Sequence, residues 1–452
     1  MNRQFKTADY EATLNSQIRL GDALPPEHLA RFIVDVVAQL DLGLIYRQYS
    51  TLGAPPYAPE LLLALLFYAY ATGVFSSRQI ERATYESLPF RYIAGNLHPD
   101  HDTIAHFRKT FLSEIRELFV QILLLAQAMG HLNLGNISLD GSKIHADASK
   151  SQAVSYKRLL ALEQYLQAQV TELLALAARA DKQVLPEGLV IEDEVARREA
   201  RLAQLAQAKA VLAQRAQARY EAEKAEYEEK MRQREAKAAQ KGKKPKGRQP
   251  QAPVPGPRAK DQYNFTDPES AIMKNPNNKG FDQHFNVQVA VDQDSCLIVG
   301  QTLSNHVNDR QEALPTVDAI PPELGQPSAA ALDAGYFSQD NIQGLSDRGI
   351  DPYIATGRDP HNRGWRAFFA QAVEPPANAS LKEKMAYKLR TEIGQAIYRL
   401  RKSTVEPVIG IIKEVLGFRQ FSLRGLSAAA GEWSLVCLAF NLKRLHTLSF
   451  AS

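Results

Sequence analysis

Two long polar helices, interposed between strand-like segments, constrain the fold of this chain more than any other feature. Apolar residues recur on one helical stripe from Tyr156 to Gln183, and a second helical run extends from Glu192 to Gln240. Pro186 and Gly188 break the pattern between the two runs. Polar helices of this length around a Pro-Gly break predict an antiparallel coiled-coil hairpin. We expect this hairpin to be an insertion that leaves a sheet and later returns to it.

The segments on either side of the hairpin are predicted to be β-strands. NISLDGSKIHADAS precedes the hairpin, and FDQHFNVQVAVD, CLIVGQTLS, SAAALDAGYF and DPYIAT follow it, with helical segments after residue 305. The helix in IGQAIYRLRKSTVEPVIGIIKEVL is expected to be interrupted or kinked near Pro407, and EWSLVCLAFNLKRL closes the chain as an amphipathic helix. Strands that alternate with helices predict an α/β sheet covered by helices.

Residues 1 to about 130 are predicted to be helical. PPEHLARFIVDVVAQL, APELLLALLFYAYATG, SSRQIERATYESL and HDTIAHFRKTFLSEI combine helix start signals with helical apolar patterns. Short helices joined by tight turns, the last carrying Arg108 and Lys109, suit a DNA-binding module of the helix-turn-helix type. A helical bundle with ordinary surface charges explains the same pattern equally well.

The formal net charge of +4 is concentrated in one tract. Residues 232–260 contain ten Lys or Arg side chains, Lys243 and Lys244 among them, and a single acid, Glu235. The remainder of the chain is therefore net acidic, and overall basicity does not indicate that the whole protein binds nucleic acid. The tract itself favours contacts with the DNA backbone, because binding to phosphates releases counterions. A solvated linker is the alternative.

Composition limits the class of protein. A chain that is 45% apolar and 23% charged is typical of globular proteins. Cys296 and Cys437 stand outside any CxxC spacing, which favours a reducing compartment. The longest apolar stretch, residues 61–71, is shorter than the about 20 residues that span a bilayer, and the first residues lack an apolar signal core. We expect a cytoplasmic protein with no membrane partner.

Three acids have contexts that suggest chemistry. Asp140 ends a strand in SLDGSK, Asp333 ends another in ALDAGY, and Glu406 lies on a late helix. Strand ends converge at one edge of an α/β sheet, where three carboxylates would repel one another unless cations neutralised them. Oxygen ligands favour Mg²⁺ or Mn²⁺, and two such ions about 3.5–4 Å apart serve phosphodiester chemistry. Taken singly, each acid has an ordinary interpretation as a turn or surface residue.

Several blocks together resemble bacterial insertion-sequence transposases of the DDE type. They are DGSKIHADASK, ALDAGYFS, YRLRKSTVEPVIGIIKEVLGFRQFSLRG and EWSLVCLAFNLKRL, preceded by LLLALLFYAYATGVFSSRQIERATYESLPFRYIAG and DHDTIAHFRKTF. The blocks follow the family's order over nearly the whole chain except the hairpin and linker. The resemblance implies a ribonuclease-H-like α/β catalytic core with Asp140, Asp333 and Glu406 as the catalytic, metal-binding triad.

The resemblance also implies basic residues around the last acid. Related transposases carry a tyrosine, arginine, glutamate and lysine signature there, which Tyr398, Arg401, Glu406 and Lys413 match. The gap from Arg401 to Glu406 is one residue longer than in that signature. Lys402, four residues before the glutamate, could take the arginine's place on the same helix face. Such side chains would contact DNA phosphates near the scissile bond.

These inferences give a five-part map. It consists of a helical DNA-binding domain (1–130), the first part of the catalytic core (131–156), the coiled-coil hairpin (157–240), a basic Pro-rich linker (241–262) and the remainder of the core (263–452). The predicted activity is Mg²⁺- or Mn²⁺-dependent cleavage of the element's terminal inverted repeats and their joining to target double-stranded DNA, carried out by at least a homodimer. The alternatives are a nuclease or DNA-binding protein derived from a transposase, and a structural coiled-coil protein with a globular head.

Overall fold

The computed structural model describes residues 5–12, 19–50, 55–178, 189–241, 249–275, 280–357, 374–376 and 378–450. The chain divides into two compact units, one formed by residues 1–147 with 269–452 and the other by residues 148–268. The predicted hairpin tip at Pro186–Gly188 lies outside the described residues.

Seven helices precede the first strand within the described part of the chain. They are α1 (Leu29–Val37), α2 (Gly43–Tyr46), α3 (Pro59–Ala71), α4 (Ser77–Glu86), α5 (Leu88–Ile93), α6 (His101–Thr110) and α7 (Leu112–Ala128). Pro59 occupies the first turn of α3, where its missing N–H costs nothing, and every residue from Leu61 to Ala71 is buried. An apolar helix of this kind needs neighbours on all sides, which the other helices of this unit provide.

A mixed sheet forms the centre of the first unit. Its strands are β1 (Asn136–His145), β4 (Ala271–Lys274), β5 (Phe281–Asp292), β6 (Ile298–Ser304), β7 (Ala329–Leu332) and β8 (Asp351–Ile354). The order is β4-β5-β1-β7-β8, and β6 also pairs with β5. β5 is antiparallel to β1, β4 and β6, whereas β1, β7 and β8 run parallel. β1 therefore lies between an antiparallel and a parallel neighbour.

Six helices and one π-helical turn accompany the later strands. They are α10 (Ala313–Asp318), α11 (Gln339–Asp347), α12 (Leu381–Lys388), α13 (Glu392–Leu400), α14 (Val405–Gly410), the π-helical turn Ile411–Val415 and α15 (Leu426–Phe450). α15 packs against α3 and α7 on the one hand and β6 on the other. Because α15 is buried from Trp433 to Leu442 on every face, the N-terminal helices and the sheet share one core. The structure thus places the predicted N-terminal domain, residues 1–130, in the same compact unit as the sheet.

The second unit contains the predicted helical pair. It is formed by β2 (Ala153–Ser155), α8 (Tyr156–Ala177), α9 (Ile191–Lys241) and β3 (Gln262–Asn264). α8 and α9 pack through apolar side chains that include Leu159, Leu166, Leu205 and Leu212. Contacts from Glu163 to Lys209 and from Gln169 to Arg198 follow opposite directions along the two helices, which are therefore antiparallel.

The unit is larger than the predicted insertion of residues 157–240, because β2 and β3 pair with each other. Part of the predicted linker is also attached to α9. The guanidinium of Arg258 binds both carboxylate oxygens of Glu223 at 2.7 and 2.8 Å, and Arg219 binds Asp261 at 3.0 Å. These ion pairs hold the segment from residue 256 to residue 261 along the helix.

Among the described residues, no helix is long and apolar enough to cross a membrane.

Candidate active site

Asp140 lies on β1, and Asp333 directly follows the parallel strand β7. Leu139 of β1 pairs with Leu332, the last residue of β7, and each aspartate is the next residue along the chain. Asp333 also caps a short 3₁₀ turn, since its carboxylate accepts a hydrogen bond of 2.7 Å from the Gly335 amide. Asp140 does not end its strand as predicted, because β1 continues to His145. The parallel register nevertheless places Asp140, in the middle of β1, beside Asp333 at the C-terminal end of β7.

Arg401 connects the third acid to this edge. Its Nη2 donates to Oδ2 of Asp140 at 2.6 Å, and its Nη1 donates to Oε1 of Glu406 at 2.9 Å. The Arg401 side chain is 9% exposed, whereas that of Glu406 is 47% exposed. Asp140 and Glu406 thus lie on opposite sides of one buried guanidinium, and Glu406 faces solvent.

Burial and the neighbouring charges perturb the ionisation of the Asp140 carboxyl group. Burial raises the pKa of Asp140 to about 6. The carboxylates of Asp333 and Glu406 also raise this pKa, while the Arg401 guanidinium lowers it. Burial lowers the pKa of Arg401, but these same carboxylates outweigh it and hold the pKa above its ordinary value. One guanidinium does not offset three acids, so the site favours additional positive charge.

The helix that carries Glu406 is broken before the acid rather than at Pro407. α13 ends at Leu400, a 3₁₀ turn follows at Arg401–Ser403, and Thr404 has φ −112° and ψ −82°, outside the helical range. α14 then begins at Val405. The break accommodates the extra residue between Arg401 and Glu406, and it lets the Arg401 side chain reach both Asp140 and Glu406. The predicted kink near Pro407 therefore lies several residues too late.

Of the two residues proposed as the basic partner of Glu406, Arg401 contacts this acid in the structure. Arg401 is buried between the acids, whereas Lys402 is exposed. Tyr398 is half-buried, and it lies close enough to Arg401 to help raise the pKa of that guanidinium. Lys413, in the π-helical turn, has its Nζ 3.0 Å from the Ser142 hydroxyl on β1. Burial lowers the pKa of Lys413.

A buried polar network that the sequence analysis did not identify underlies the acids. Oδ1 of Asp309 accepts hydrogen bonds of 2.8 Å from both Asn286 and Gln288, and the hydroxyl of Tyr336 donates to Oε1 of Gln288. Gln288 and Tyr336 are fully buried. A Cβ added at Gly141 would lie 2.2 Å from Nε2 of Gln288, so the glycine after Asp140 makes room for this amide. In the sequence, amide side chains at alternate positions of the otherwise apolar strand FNVQVAVD could have indicated this buried polar network.

Arg108 does not belong to a DNA-contacting surface. It is 7% exposed, and its Nη1 donates to the Tyr70 hydroxyl at 2.8 Å and to the Phe75 carbonyl at 3.0 Å. The prediction that Arg108 contacts DNA is therefore wrong, because its guanidinium is buried among the N-terminal helices and hydrogen-bonded there. Lys109 is exposed. Lys243 and Lys244 lie outside the described residues.

The three acids suit a hard divalent cation by their donor chemistry, since all three offer carboxylate oxygens. Over the described ranges, no three carboxylate, imidazole or thiol groups stand close enough together to hold a metal ion as they are placed. Arg401 lies between Asp140 and Glu406, so a shared cation requires a shift of that guanidinium. A bound cation would favour the ionised form of Asp140, whose pKa is raised by burial and by the neighbouring acids.

One relative with a curated name is similar to part of the chain. It is a candidate transposase for the insertion sequence element IS402 of Burkholderia cepacia, 41% identical over 66 residues. The match covers 13% of this chain and 31% of the relative.

Two family profiles match longer segments. The profile described as "Transposase domain (DUF772)" matches residues 18–110, and the profile described as "Transposase DDE domain" matches residues 251–442. The chain belongs to the insertion-sequence DDE transposases. In this transposase family member, Asp333 and Glu406 lie within the second matched segment, and Asp140 lies before it. No solved structure matches the chain.

Proposed function

We propose that this protein is a DNA transposase that cleaves the ends of its insertion sequence and joins them to target DNA. The observation that carries the proposal is the placement of Asp140 and Asp333 directly after the paired residues Leu139 and Leu332, with Arg401 linking Asp140 to Glu406. This arrangement brings together three acids from distant parts of the chain, beside the C-terminal end of β7. Family membership supports the same activity.

The proposed fold of the catalytic part is ribonuclease-H-like. Its support is the mixed sheet, in which antiparallel β5 and β6 stand on one side of β1 and parallel β7 and β8 on the other. The acids on β1 and after β7, and the third on a late helix, agree with that fold. The second unit would then be an insertion in the core, between β1 and β4.

Asp140, Asp333 and Glu406 would hold Mg²⁺ or Mn²⁺, with two ions per site. When bound, such ions supply Lewis-acid activation of a water or 3′-hydroxyl and stabilise the leaving oxygen in phosphodiester chemistry. The protein's own contribution is to fix three carboxylates on a strand, a strand end and a helix, and to keep Asp140 largely dry. Arg401 would stabilise the acids in the absence of DNA and contact phosphate in its presence.

The DNA contacts follow from the remaining basic groups. Lys413 presents an ammonium beside Ser142 on β1, two residues from Asp140, where it would bind a phosphate near the scissile bond. Half-buried Tyr398 lies near the end of α13, and exposed Lys402 lies in the 3₁₀ turn between α13 and α14. Lys109 and the tract with Lys243 and Lys244 would add contacts farther away. Because two element ends must be cut and joined together, we expect at least a homodimer on DNA.

The experiment that tests this function uses DNA fragments containing the sequence that flanks the protein's own gene. The purified full chain is incubated with them and Mg²⁺, and cleaved and joined ends are mapped. We expect cuts at the element ends, transfer of those ends to a second duplex, and loss of both with excess EDTA. Asp140→Asn, Asp333→Asn and Glu406→Gln should each abolish cleavage and keep binding to end DNA.

Glu414→Gln is the matched control, because Glu414 follows in the adjoining π-helical turn but pairs with exposed Arg419. It should retain wild-type cleavage. Cleavage without joining would indicate a nuclease, and binding without cleavage a DNA-binding relic. Either result would overturn the proposal.

A further inference from the structure

A buried hydroxyl pair joins the helix of the third acid to the strand of the first. The Oγ1 atom of Thr404 lies 2.9 Å from the Oγ atom of Ser138, within hydrogen-bond distance. Thr404 is 2% exposed and Ser138 is fully buried. Gln293 completes the group, since its Nε2 donates to Ser138 Oγ at 2.9 Å and to the Ile397 carbonyl at 3.1 Å. The contacts therefore span β1, the turn after β5, and α13.

The positions of the two hydroxyls are matched to the acids. Ser138 stands two residues before Asp140 on β1, and Thr404 stands two residues before Glu406. Ser138 also pairs with Ala331 of β7, two residues before Asp333. A contact between Ser138 and Thr404 thus fixes the helix of Glu406 against the strands that carry both aspartates.

The backbone leaves the helical path at Thr404, where this side-chain contact is made. The residue lies between the 3₁₀ turn at Arg401–Ser403 and α14, with dihedral angles outside the helical range. Its Oγ1 also lies 2.8 Å from the Leu400 carbonyl at the end of α13. Since the regular helical ladder is interrupted here, the hydroxyl contacts are the local means of setting the angle between α13 and α14.

We propose that Thr404 is a positioning residue that acts through Ser138 to place Glu406 opposite Asp140 for cation binding. The inference rests on the proposed function, because it assigns the hydroxyl pair a role toward the cation of that same site. Residues that orient metal-binding carboxylates without touching the metal change metal affinity by about 10- to 100-fold when they are replaced. Thr404→Val keeps the shape of the side chain and removes only the hydroxyl.

The test compares four variants of the full chain. Thr404→Val and Ser138→Ala remove the hydroxyl pair from either side, and Thr404→Ser restores a hydroxyl. Thr316→Val is the matched control, because Thr316 is also fully buried and its Oγ1 lies 2.8 Å from the hydroxyl of Thr302. The readouts are the Mn²⁺ dissociation constant, measured calorimetrically with MnCl₂ and end DNA carrying a non-cleavable linkage, and the Mg²⁺ concentration for half-maximal cleavage.

We expect Thr404→Val and Ser138→Ala to raise both quantities by about 10-fold or more. Thr404→Ser should stay within about threefold of the wild type, and Thr316→Val should change neither quantity. If Thr404→Val does not fold, Ser138→Ala provides the same test. Equal effects of Thr404→Val and Thr316→Val, or failure of Thr404→Ser to restore affinity, would reduce Thr404 to an ordinary core residue and overturn the inference.

The failure of the underlying function gives a different result. If the wild type binds no Mn²⁺, or if Asp140→Asn binds it equally well, the assignment of the acids fails and the inference fails with it. If the wild type binds Mn²⁺ through Asp140 while Thr404→Val binds it unchanged, only the positioning role is overturned.

Discussion

Arg108 and Tyr70 share a hydrogen bond of 2.8 Å between the guanidinium Nη1 and the phenolic oxygen, in the interior of the N-terminal helices. The Tyr70 hydroxyl donates in turn to Glu432 on α15 at 3.2 Å. The Glu432 carboxylate also accepts from the amides of Ser422 and Leu423 at 2.9 and 3.0 Å. A buried cation and a buried anion are thereby joined through a neutral phenol, and α6, α3 and α15 are held together.

Arg108→Met should destabilise the protein because it leaves the Glu432 carboxylate buried without its cation. Hydrogen bonds to charged groups contribute about 1.5–3 kcal/mol each, and we expect a loss of at least this order in urea unfolding. Lys109→Gln, at the exposed neighbouring position, should stay within about 0.5 kcal/mol of the wild type. An Arg108→Met variant with wild-type stability and weakened discrimination of end DNA would return Arg108 to the DNA-binding surface.

Arg401→Gln and Lys402→Gln should differ sharply in cleavage. The Arg401 guanidinium contacts Asp140 and Glu406, whereas Lys402 is exposed. We expect Arg401→Gln to lower the single-turnover cleavage rate by about 100-fold or more, and Lys402→Gln to lower it only a few-fold. The two rates are measured at saturating DNA. A larger loss in Lys402→Gln would show that the lysine takes the arginine's place in the signature.

Gly141→Ala should disturb the buried network beneath the acids. The added Cβ would lie 2.2 Å from Nε2 of Gln288, which binds Asp309. Overpacking of this kind costs about 1–3 kcal/mol, measured by thermal or urea unfolding. Gly410→Ala is the control, because a Cβ there meets nothing within 4 Å, and helix propensity predicts a gain of up to about 1 kcal/mol. Equal stabilities of the two variants would contradict the tight packing of Gln288.

His284 should make the protein sensitive to acid. Burial lowers its pKa to about 4; Lys143 and the adjacent ring of His145 act in the same direction, and Asp282 opposes them. The unfolded chain binds a proton below about pH 6.5, and the folded chain does so only near pH 4. Stability therefore falls as the pH drops from about 6.5 to about 4, by up to about 1.4 kcal/mol per unit.

The measurement for His284 is the free energy of unfolding at pH 7 and pH 5. His284→Gln should lose less stability over this interval than the wild type, whereas His106→Gln, at an exposed position, should keep the wild-type difference. An unchanged difference in His284→Gln would assign the acid sensitivity to other groups.

The basic tract should contribute contacts that do not depend on DNA sequence. Lys243→Gln with Lys244→Gln should weaken binding to end DNA and random DNA alike, and should reduce the log–log salt slope by about 0.9 for each lost phosphate contact. Lys224→Gln with Lys230→Gln is the control, because these lysines of α9 pair with Glu228 and Glu226 on the same helix. Equal slopes for the tract variant and the wild type would make the tract a solvated linker.

Much of the secondary structure could be predicted from sequence because the apolar periods are strong. Alternation predicts β1, apolar runs bounded by turn residues predict the strands from β5 onward, and the helical stripe from Tyr156 predicts α8. The structure has these elements. β4 is not predicted, because its four residues, AIMK, are too few to show the alternation of a strand. It becomes a strand by pairing with the N-terminal part of β5, a tertiary contact that local pattern does not reveal.

The charged residues were harder to place. A 3.6-residue period does not distinguish Arg108, whose partner Tyr70 lies on another helix, from exposed Lys109. The helix break was expected at Pro407 because proline removes a backbone donor, but Pro407 lies in the first turn of α14, where no donor is needed. At the break itself, Thr404 contacts Ser138, which is far away in sequence. Local patterns together with the family resemblance therefore propose the acids, and tertiary contacts decide which neighbours face them.

The short pairing of β2 with β3 has a consequence for the speed of folding. His145 and His284, opposite each other on β1 and β5, are about 140 residues apart along the chain. Once Ala153 and Asn264 have paired, the path between the two histidines shortens to about 28 residues. By the logarithmic dependence of loop-closure entropy on length, this lowers the cost of closing β1 onto β5 by roughly 1.4 kcal/mol. If α8 and α9 pair before the sheet forms, the entropic cost of pairing β1 with β5 is close to that in a chain without the insertion.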